Sequence, residues 1–333
     1  MANYILSDGP DIGAFIAGLG ETSRMKWHLL WREGHANVAK WRRIVNYFLF
    51  PLRFLLGHRH IEHVVAWQQF YGITTAFYHR LLPLHRDMRI TVMTFIYKPK
   101  AGVAGMVYHH FVETALDSSN VTDVIVFSKS EVKHYAKLFP KAAHKFRDIP
   151  LGIAATPDIE PRHGDYIFTA GISNRDYDFL IRALADSDYR VRIACPGVKV
   201  PDGVTNTEVL DDCYGDRMLR ELAGCRAVVI PLKDRNISSG QLMLLQAMQM
   251  GKPVIVTHTD ALAEYVEDGR TAIFIDNEPT QLRDTLHRLH ADPSLYEEIA
   301  ENAKRKVTEE FSERKLGERV GAIILKKKKI KGA

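Results

Sequence analysis

Residues 227–256 read AVVIPLKDRNISSGQLMLLQAMQMGKPVIV, and their types and spacing suit the capture of an anion. A β-branched run ends at Pro231, the polar loop KDRNI follows, and SSGQ opens an apolar helical pattern. Ser238 is expected to cap that helix, with Gln241 three residues on reaching back to its amide. Gly251 can take the left-handed conformation that closes the helix, and Pro253 prevents its continuation. A helix N-terminus presents unpaired N–H groups and a positive dipole end, and the small residues Ser238, Ser239 and Gly240 let a phosphate approach closely. An ordinary, well-capped crossover helix fits the same local pattern. Leu242, Met243, Leu244, Leu245, Ala247, Met248 and Met250 leave almost no polar face, so the helix is expected to lie buried against a sheet.

The elements that would position this helix repeat along the chain. Short β-branched runs alternate with longer helical patterns, the mark of parallel sheets covered by helices. Strands are expected at 4–7, 63–67, 89–95 and 123–128, then at 165–171, 189–195, 227–232, 252–258 and 272–276. A single charged helical pattern covers 293–320. The Pro- and Gly-rich stretch 148–165 reads as a hinge. At 333 residues the chain exceeds one compact core. Two α/β domains are expected, at 1–150 and 151–315, with a basic tail over 316–333. In open parallel sheets, ligands sit beyond the carboxyl ends of the strands.

Composition narrows the function classes. Cys195, Cys213 and Cys225 are odd in number and lack metal-type spacing, which argues against a disulfide framework or a zinc site and suits a reducing cytoplasm. The start MANYILSDGPDIG lacks a signal-peptide pattern, and no uninterrupted apolar run is long enough to span a bilayer; a cytoplasmic protein is expected. A net charge of +5 without a recognised motif disfavours nucleic acid. The excess collects in KWRRIVNYFLFPLRFLLGHRH (40–60) and in the tail KKKKIK (326–331). Aromatic and basic residues together suit the inner face of an anionic membrane; a core helix with a solvated rim fits as well.

The segment from Pro231 to Ile275 resembles the nucleotide-sugar-binding segment of glycosyltransferases of the GT-B fold, most closely family 4, the glycosyl transferases group 1. The matching elements are Pro231, Ala247-Met248, Gly251-Lys252-Pro253-Val254 and the stretch Glu264 to Gly269. FTAGISNRDYDFLIRAL (168–184) is similar to the family's diphosphate-binding loop, with Gly171 at the turn and Arg175 at the basic position. More weakly, 63–82, ITVMTF and DVIVFSKSEVKHY look like its N-terminal domain. The order and spacing agree from about residue 63 to residue 311. The resemblance implies an α/β, GT-B fold: two Rossmann-like domains whose parallel sheets face a central cleft, the first for the acceptor, the second for the nucleotide sugar. Two departures stand out. The paired Glu residues of the family fall at Ser238 and Gln246, and no His aligns after ITVMTF. Gln246 can still hydrogen-bond ribose hydroxyls.

Sugar transfer requires stabilisation of the departing diphosphate. Arg175 would meet it by bidentate contact, with Ser173 and the amides of Ser239, Gly240 and Gln241 as neutral donors, and Lys233 or Arg235 as a second cation. The resemblance implies no metal, and no cofactor is expected beyond the nucleoside-diphosphate sugar itself. An inverting reaction needs a general base on the acceptor side. Asp8 and Asp11 in the turn SDGPDIG, and His109 or His110 in MVYHH, are the candidates, Asp8 first by its position at a strand's end. The expected function is therefore a hexosyltransferase moving a sugar to a glycan or lipid-linked acceptor, in bacterial surface polysaccharide or glycolipid synthesis. A sugar-nucleotide epimerase and a non-catalytic nucleotide-sugar-binding or partner-binding protein share the fold.

Overall fold

The structure, a computed structural model, describes residues 1–33, 39–82, 85, 87–156, 159–162 and 164–331. Residues 157, 158 and 163 of the expected hinge, and 332 and 333 of the expected tail, lie outside the described residues. The chain forms two units, one of Met1–Pro150 with Arg314–Ala333 and one of Leu151–Glu313.

The first unit is built on six strands, β1 (Ala2–Ser7), β2 (Trp27–Trp31), β3 (Ile61–Ala66), β4 (Arg89–Val92), β5 (Val121–Val126) and β6 (Phe146–Asp148), in the order β2-β1-β3-β4-β5-β6. All its pairings are parallel. Helices α1 (Gly13–Ser23), α2 (Lys40–Gly57), α3 (Gln69–Leu81), α4 (Gly102–Leu116) and α5 (Lys129–Leu138) make the crossovers. The central strands are nearly continuous apolar runs because helices cover both faces. Val64, Ile90, Val92, Val124 and Val126 pack on one side, and Ile5, Val65, Met93 and Ile125 on the other.

The second unit repeats the plan with β7 (Tyr166–Ala170), β8 (Arg190–Ala194), β9 (Thr207–Val209), β10 (Ala227–Ile230), β11 (Val254–Thr257) and β12 (Ile273–Ile275), in the order β12-β11-β10-β7-β8-β9, again all parallel. Its helices are α6 (Tyr177–Leu184), α7 (Gly215–Gly224), α8 (Gln241–Gln249), α9 (Asp260–Ala263), α10 (Pro279–Ala291) and α11 (Pro293–Glu310). Strands β7 and β10 are neighbours at the middle of this sheet. The loops that leave their carboxyl ends, 171–176 and 231–240, therefore emerge side by side.

Three expectations need correction. Strands β2, β6 and β9 were not expected; they are edge strands, and WHLLW, FRD and TEV carry too few buried β-branched residues to show alternation. The pattern over 293–320 is two helices, α11 and α12 (Glu313–Lys331). The chain breaks at Phe311 and Ser312 because Ile153 takes the backbone groups that continuation would need: its N–H donates to Phe311 O and its carbonyl accepts from Glu313 N, both at 2.8 Å.

The tail over 316–333 is not a separate element either. Leu316, Val320 and Ile324, four residues apart, form one buried stripe of α12 against Ile12, Phe15 and Leu19. Close approach is possible because Gly18 and Gly317 meet backbone: a Cβ at either would lie 2.2 Å from a carbonyl oxygen, of Arg314 or of Phe15. Farther on, Lys327 Nζ lies 2.8 Å from both carboxylate oxygens of buried Asp123.

Candidate functional site

In the second unit, loop 171–176 is shaped by Gly171. At φ +117° it occupies a region that side chains rarely adopt, and a Cβ there would stand 2.8 Å from Arg175 Nη2 and 3.1 Å from Cζ. The guanidinium thus lies folded over the glycine. Arg175 Nε donates to Ala170 O at 3.1 Å and Nη1 to Ser173 O at 2.9 Å. The Tyr177 hydroxyl donates to Gly171 O from the first turn of α6. No carboxylate among the described residues lies within ion-pair distance of Arg175. Burial lowers its pKa below the ordinary arginine value, with Tyr177 and Cys195 acting weakly the other way. A guanidinium held on carbonyls alone keeps its full positive charge for an incoming anion.

Loop 231–240 is sewn to the first loop by Asn174, at φ +57°. Asn174 Nδ2 donates to Asp234 O at 2.8 Å and to Ser239 Oγ at 3.0 Å, and its Oδ1 accepts from Asp234 N at 2.9 Å. The base of the loop is fixed from β11 and β12: Leu232 N donates to Thr257 Oγ1 at 2.8 Å, and Asn277 Nδ2 donates to Leu232 O at 2.9 Å.

Helix α8 begins differently from the sequence expectation. Its N-cap is Gly240, at φ +95° and ψ −15°, with no side-chain cap. Ser238 sits two residues before the cap, and its hydroxyl accepts a hydrogen bond from the side-chain amide of Gln241. The left-handed glycine turns the chain into the helix two residues after Ser238, so the N-cap position falls on a residue without a side chain. Among the described residues no side-chain hydrogen bond caps Gly240, and the first intrahelical bond is Leu244 N to Gly240 O at 2.9 Å. Buried Met243, Leu244, Leu245, Ala247 and Met248 hold the helix in the core, while Leu242 is exposed. Gln246, half-buried in the second turn, makes no side-chain hydrogen bond to a described residue.

The other cations near the loops are engaged. Arg235 Nη1 lies 2.8 Å from Asp276 Oδ1, and Lys233 stands 3.9 Å from Asp178; both pairs are solvent-exposed. Ser173 is exposed, with its carbonyl under Arg175. The structure thus brings together Gly171, Ser173, Arg175, Lys233, Ser239, Gly240 and Gln241. Sequence reasoning passed over Asn174, Tyr177, Thr257 and Asn277. Only Asn174 carried a signal, an Asn in a tight turn beside Arg175, since Asn tolerates positive φ.

The acceptor-side candidates fall in the first unit. Asp8 follows β1 directly, half-buried, and its charge acts on the hydroxyls of Tyr47 and Tyr71, which burial, the larger cause, already raises. Asp11 is exposed just before α1. His109 lies in α4, where its ring stacks on Phe139 at 5.1 Å and Nδ1 is 2.9 Å from the Tyr97 hydroxyl. That is an aromatic packing position, and His110 beside it is exposed.

Comparison with known proteins bears on the fold and on the sequence of the second unit. Residues 166–292 match the family model described as Glycosyl transferases group 1. The glycosyltransferase MJ1178 of Methanocaldococcus jannaschii, itself uncharacterized, is 24% identical over 173 residues, 48% of each chain, so the chain spans about half the length of that curated relative. Among solved structures, sucrose-phosphate synthase from Thermosynechococcus elongatus aligns over 100% of both chains with a TM-score of 0.67 at 12% identity. Anabaena HepE in complex with UDP aligns over 97% of this chain and 99% of its own, with a TM-score of 0.67 at 13% identity. The two parallel six-stranded units therefore have the GT-B fold of these glycosyltransferases, and residues 166–292 are similar in sequence to the glycosyl transferases group 1 family.

Proposed function

We propose that the protein transfers a sugar from a nucleoside-diphosphate sugar to a glycan or lipid-linked acceptor. The observation that carries this reading is the pairing of Arg175, a cation without a carboxylate, with the uncapped amino end of α8, on two loops that Asn174 ties together. A diphosphate seated there meets a guanidinium, the amides of Gln241, Leu242 and Met243, and a positive dipole end. HepE, of the same fold, is known with UDP and with UDP-glucose bound.

In the transfer, the bond between the sugar's anomeric carbon and the diphosphate oxygen breaks, and a bond from the acceptor oxygen to that carbon forms. The electron pair leaves with the diphosphate, whose growing charge Arg175 and the amides stabilise. The acceptor hydroxyl's proton passes to a base, for which Asp8 has the position at the end of β1, or to the leaving diphosphate itself. The reading uses no metal, and Gln246 contacts the ribose as an amide where relatives of the family have a carboxylate. Hexose is the sugar class, and surface polysaccharide or glycolipid assembly the setting, that this reading favours.

The test is a thermal-shift screen of UDP, GDP, dTDP and their hexose esters, followed by incubation of the stabilising donor with and without acceptors. A diphosphate at a hundred times its dissociation constant adds about 2.7 kcal/mol, a rise of roughly 5–10 °C for a unit of this size. Arg175→Ala abolishes that rise. Isomerised donor without acceptor would assign an epimerase; a bound but unreacted donor would assign a binding protein, consistent with the Ser238 and Gln246 replacements; no shift with any compound overturns the reading.

A further inference from the structure

Helix α2 is apolar on two opposite sides. Its inner side, Tyr47, Phe50, Phe54 and Leu55, packs on the core around Tyr71. Its outer side carries Trp41, Ile44, Val45, Phe48 and Leu49, spaced i, i+3, i+4, i+7 and i+8, and all are exposed, Trp41 by 63%. A helix apolar all round is normally buried, and no described residue of the unit covers this stripe. Helix α4 adds Val103, Met106 and Val107, at 72%, 64% and 65% exposure. The two stripes belong to one face, because Phe48 of α2 meets Phe111 of α4 with ring centroids 5.8 Å apart.

Topology sets where on the unit this face lies. Helix α2 runs from the carboxyl edge of the sheet, where Trp31 pairs with Ser7, back to the amino edge, where Ala2 pairs with Ile61. Helix α4 starts likewise beyond the end of β4. The exposed stripes occupy the amino-terminal halves of both helices, so they flank the edge that carries Asp8.

Charge selects the occupant. Residues 40–61 and 89–112 contain no Asp or Glu. Arg42 and Arg53, about three turns apart and so on nearly the same angular position, are both exposed along one border of the α2 stripe. The Arg42 guanidinium stands 5.2 Å from the Trp41 ring, and Lys100 Nζ stands 4.6 Å over Tyr108 of α4. An isologous contact with a second copy would set these cations against their own images with no carboxylate to pair. Anionic headgroups pair with them while the apolar stripe enters the boundary of the acyl chains. No helix among the described residues is long and apolar enough to cross a membrane. We propose that the outer face of α2 and α4 is a docking surface for an anionic phospholipid membrane.

The test is flotation of the full chain with phosphatidylcholine vesicles, with and without phosphatidylglycerol, in the absence of any donor; donor-induced thermal shift reports separately on sugar-nucleotide binding. Flotation is expected only with phosphatidylglycerol and is expected to weaken with salt. Arg42→Ser with Arg53→Ser lowers partitioning about thirty-fold, the equivalent of about 1 kcal/mol for each cation. Arg217→Ser with Arg220→Ser, the same charge loss in the second unit, changes it less than two-fold. Trp41→Ser with Met106→Ser abolishes flotation with an unchanged melting curve, and Val45→Ser replaces either change if that double variant fails to fold. Absence of flotation at low salt overturns the proposal. So does equal partitioning of the two Arg-deleted variants, or a doubled mass in light scattering that Trp41→Ser returns to that of a single chain.

Discussion

Replacing Gly171 by Ala probes the geometry on which the diphosphate reading depends. At φ +117° an L side chain is strained whatever the space around it, which costs about 1–3 kcal/mol. The second unit's melting temperature should fall by roughly 2–12 °C. The added methyl would also stand 2.8 Å from Arg175 Nη2, 3.1 Å from Cζ and 3.2 Å from Nε, so the guanidinium must leave its seat on Ala170 O. A hydrogen bond from a charged group contributes about 1.5–3 kcal/mol, so UDP affinity should drop about ten- to 150-fold. Isothermal titration of UDP into the wild type, Gly171→Ala, Arg175→Ala and the double variant separates the two effects. Because the glycine acts through the arginine, Gly171→Ala should cost stability but no further affinity in the Arg175→Ala background. Wild-type affinity in Gly171→Ala beside a loss in Arg175→Ala would refute the seating argument; wild-type affinity in both would remove Arg175 from the site.

Asn174→Gly keeps the positive φ but deletes three hydrogen bonds between the loops; amide exchange over 231–240 should quicken and UDP affinity fall at least five-fold, whereas Gln249→Ala on the same unit should leave affinity unchanged. Leu316→Ala empties a fully buried position of α12 and should destabilise the first unit by about 2–5 kcal/mol, read by denaturant unfolding; a loss under 0.5 kcal/mol would mean that α12 does not belong to that core. Burial pushes the Tyr135 and Tyr296 hydroxyls up to about 12. A pKa raised in the folded state gives stability that is full below the unfolded value near 10 and is lost as pH rises through the folded one, so each unit should lose about 1.4 kcal/mol per such tyrosine by pH 11. Unfolding midpoints followed by tyrosinate absorbance check this, and Tyr296→Phe should flatten the profile of the second unit.

Much of this architecture is legible from residues alone, for identifiable reasons. Central parallel strands are apolar on both faces, so runs such as AVVI and VIVT announce themselves; edge strands such as β9, half solvated, do not. The α8 helix and its Gly251 terminus are local features, set by composition. Its beginning is less legible, because Ser-Ser-Gly-Gln satisfies a capping box by residue type whereas the left-handed Gly240 sets the cap two residues along. The basic run at 326–331 reads as a loose tail, yet the preceding Leu316, Val320 and Ile324 are a core stripe whose four-residue spacing was available to be counted. Asn174, Thr257 and Asn277 join parts of the chain separated by tens of residues, and no local pattern reports such contacts.

Hydrogen exchange at the amino end of α8 addresses the diphosphate site without relying on turnover. With saturating UDP or the nucleoside diphosphate that stabilises the protein best, the amides of Gln241, Leu242 and Met243 should slow at least ten-fold together with loop 171–176, and Arg175→Ala should remove that protection. Slowing confined to other segments, or equal protection in Arg175→Ala, would contradict the placement of the donor's diphosphate between these loops.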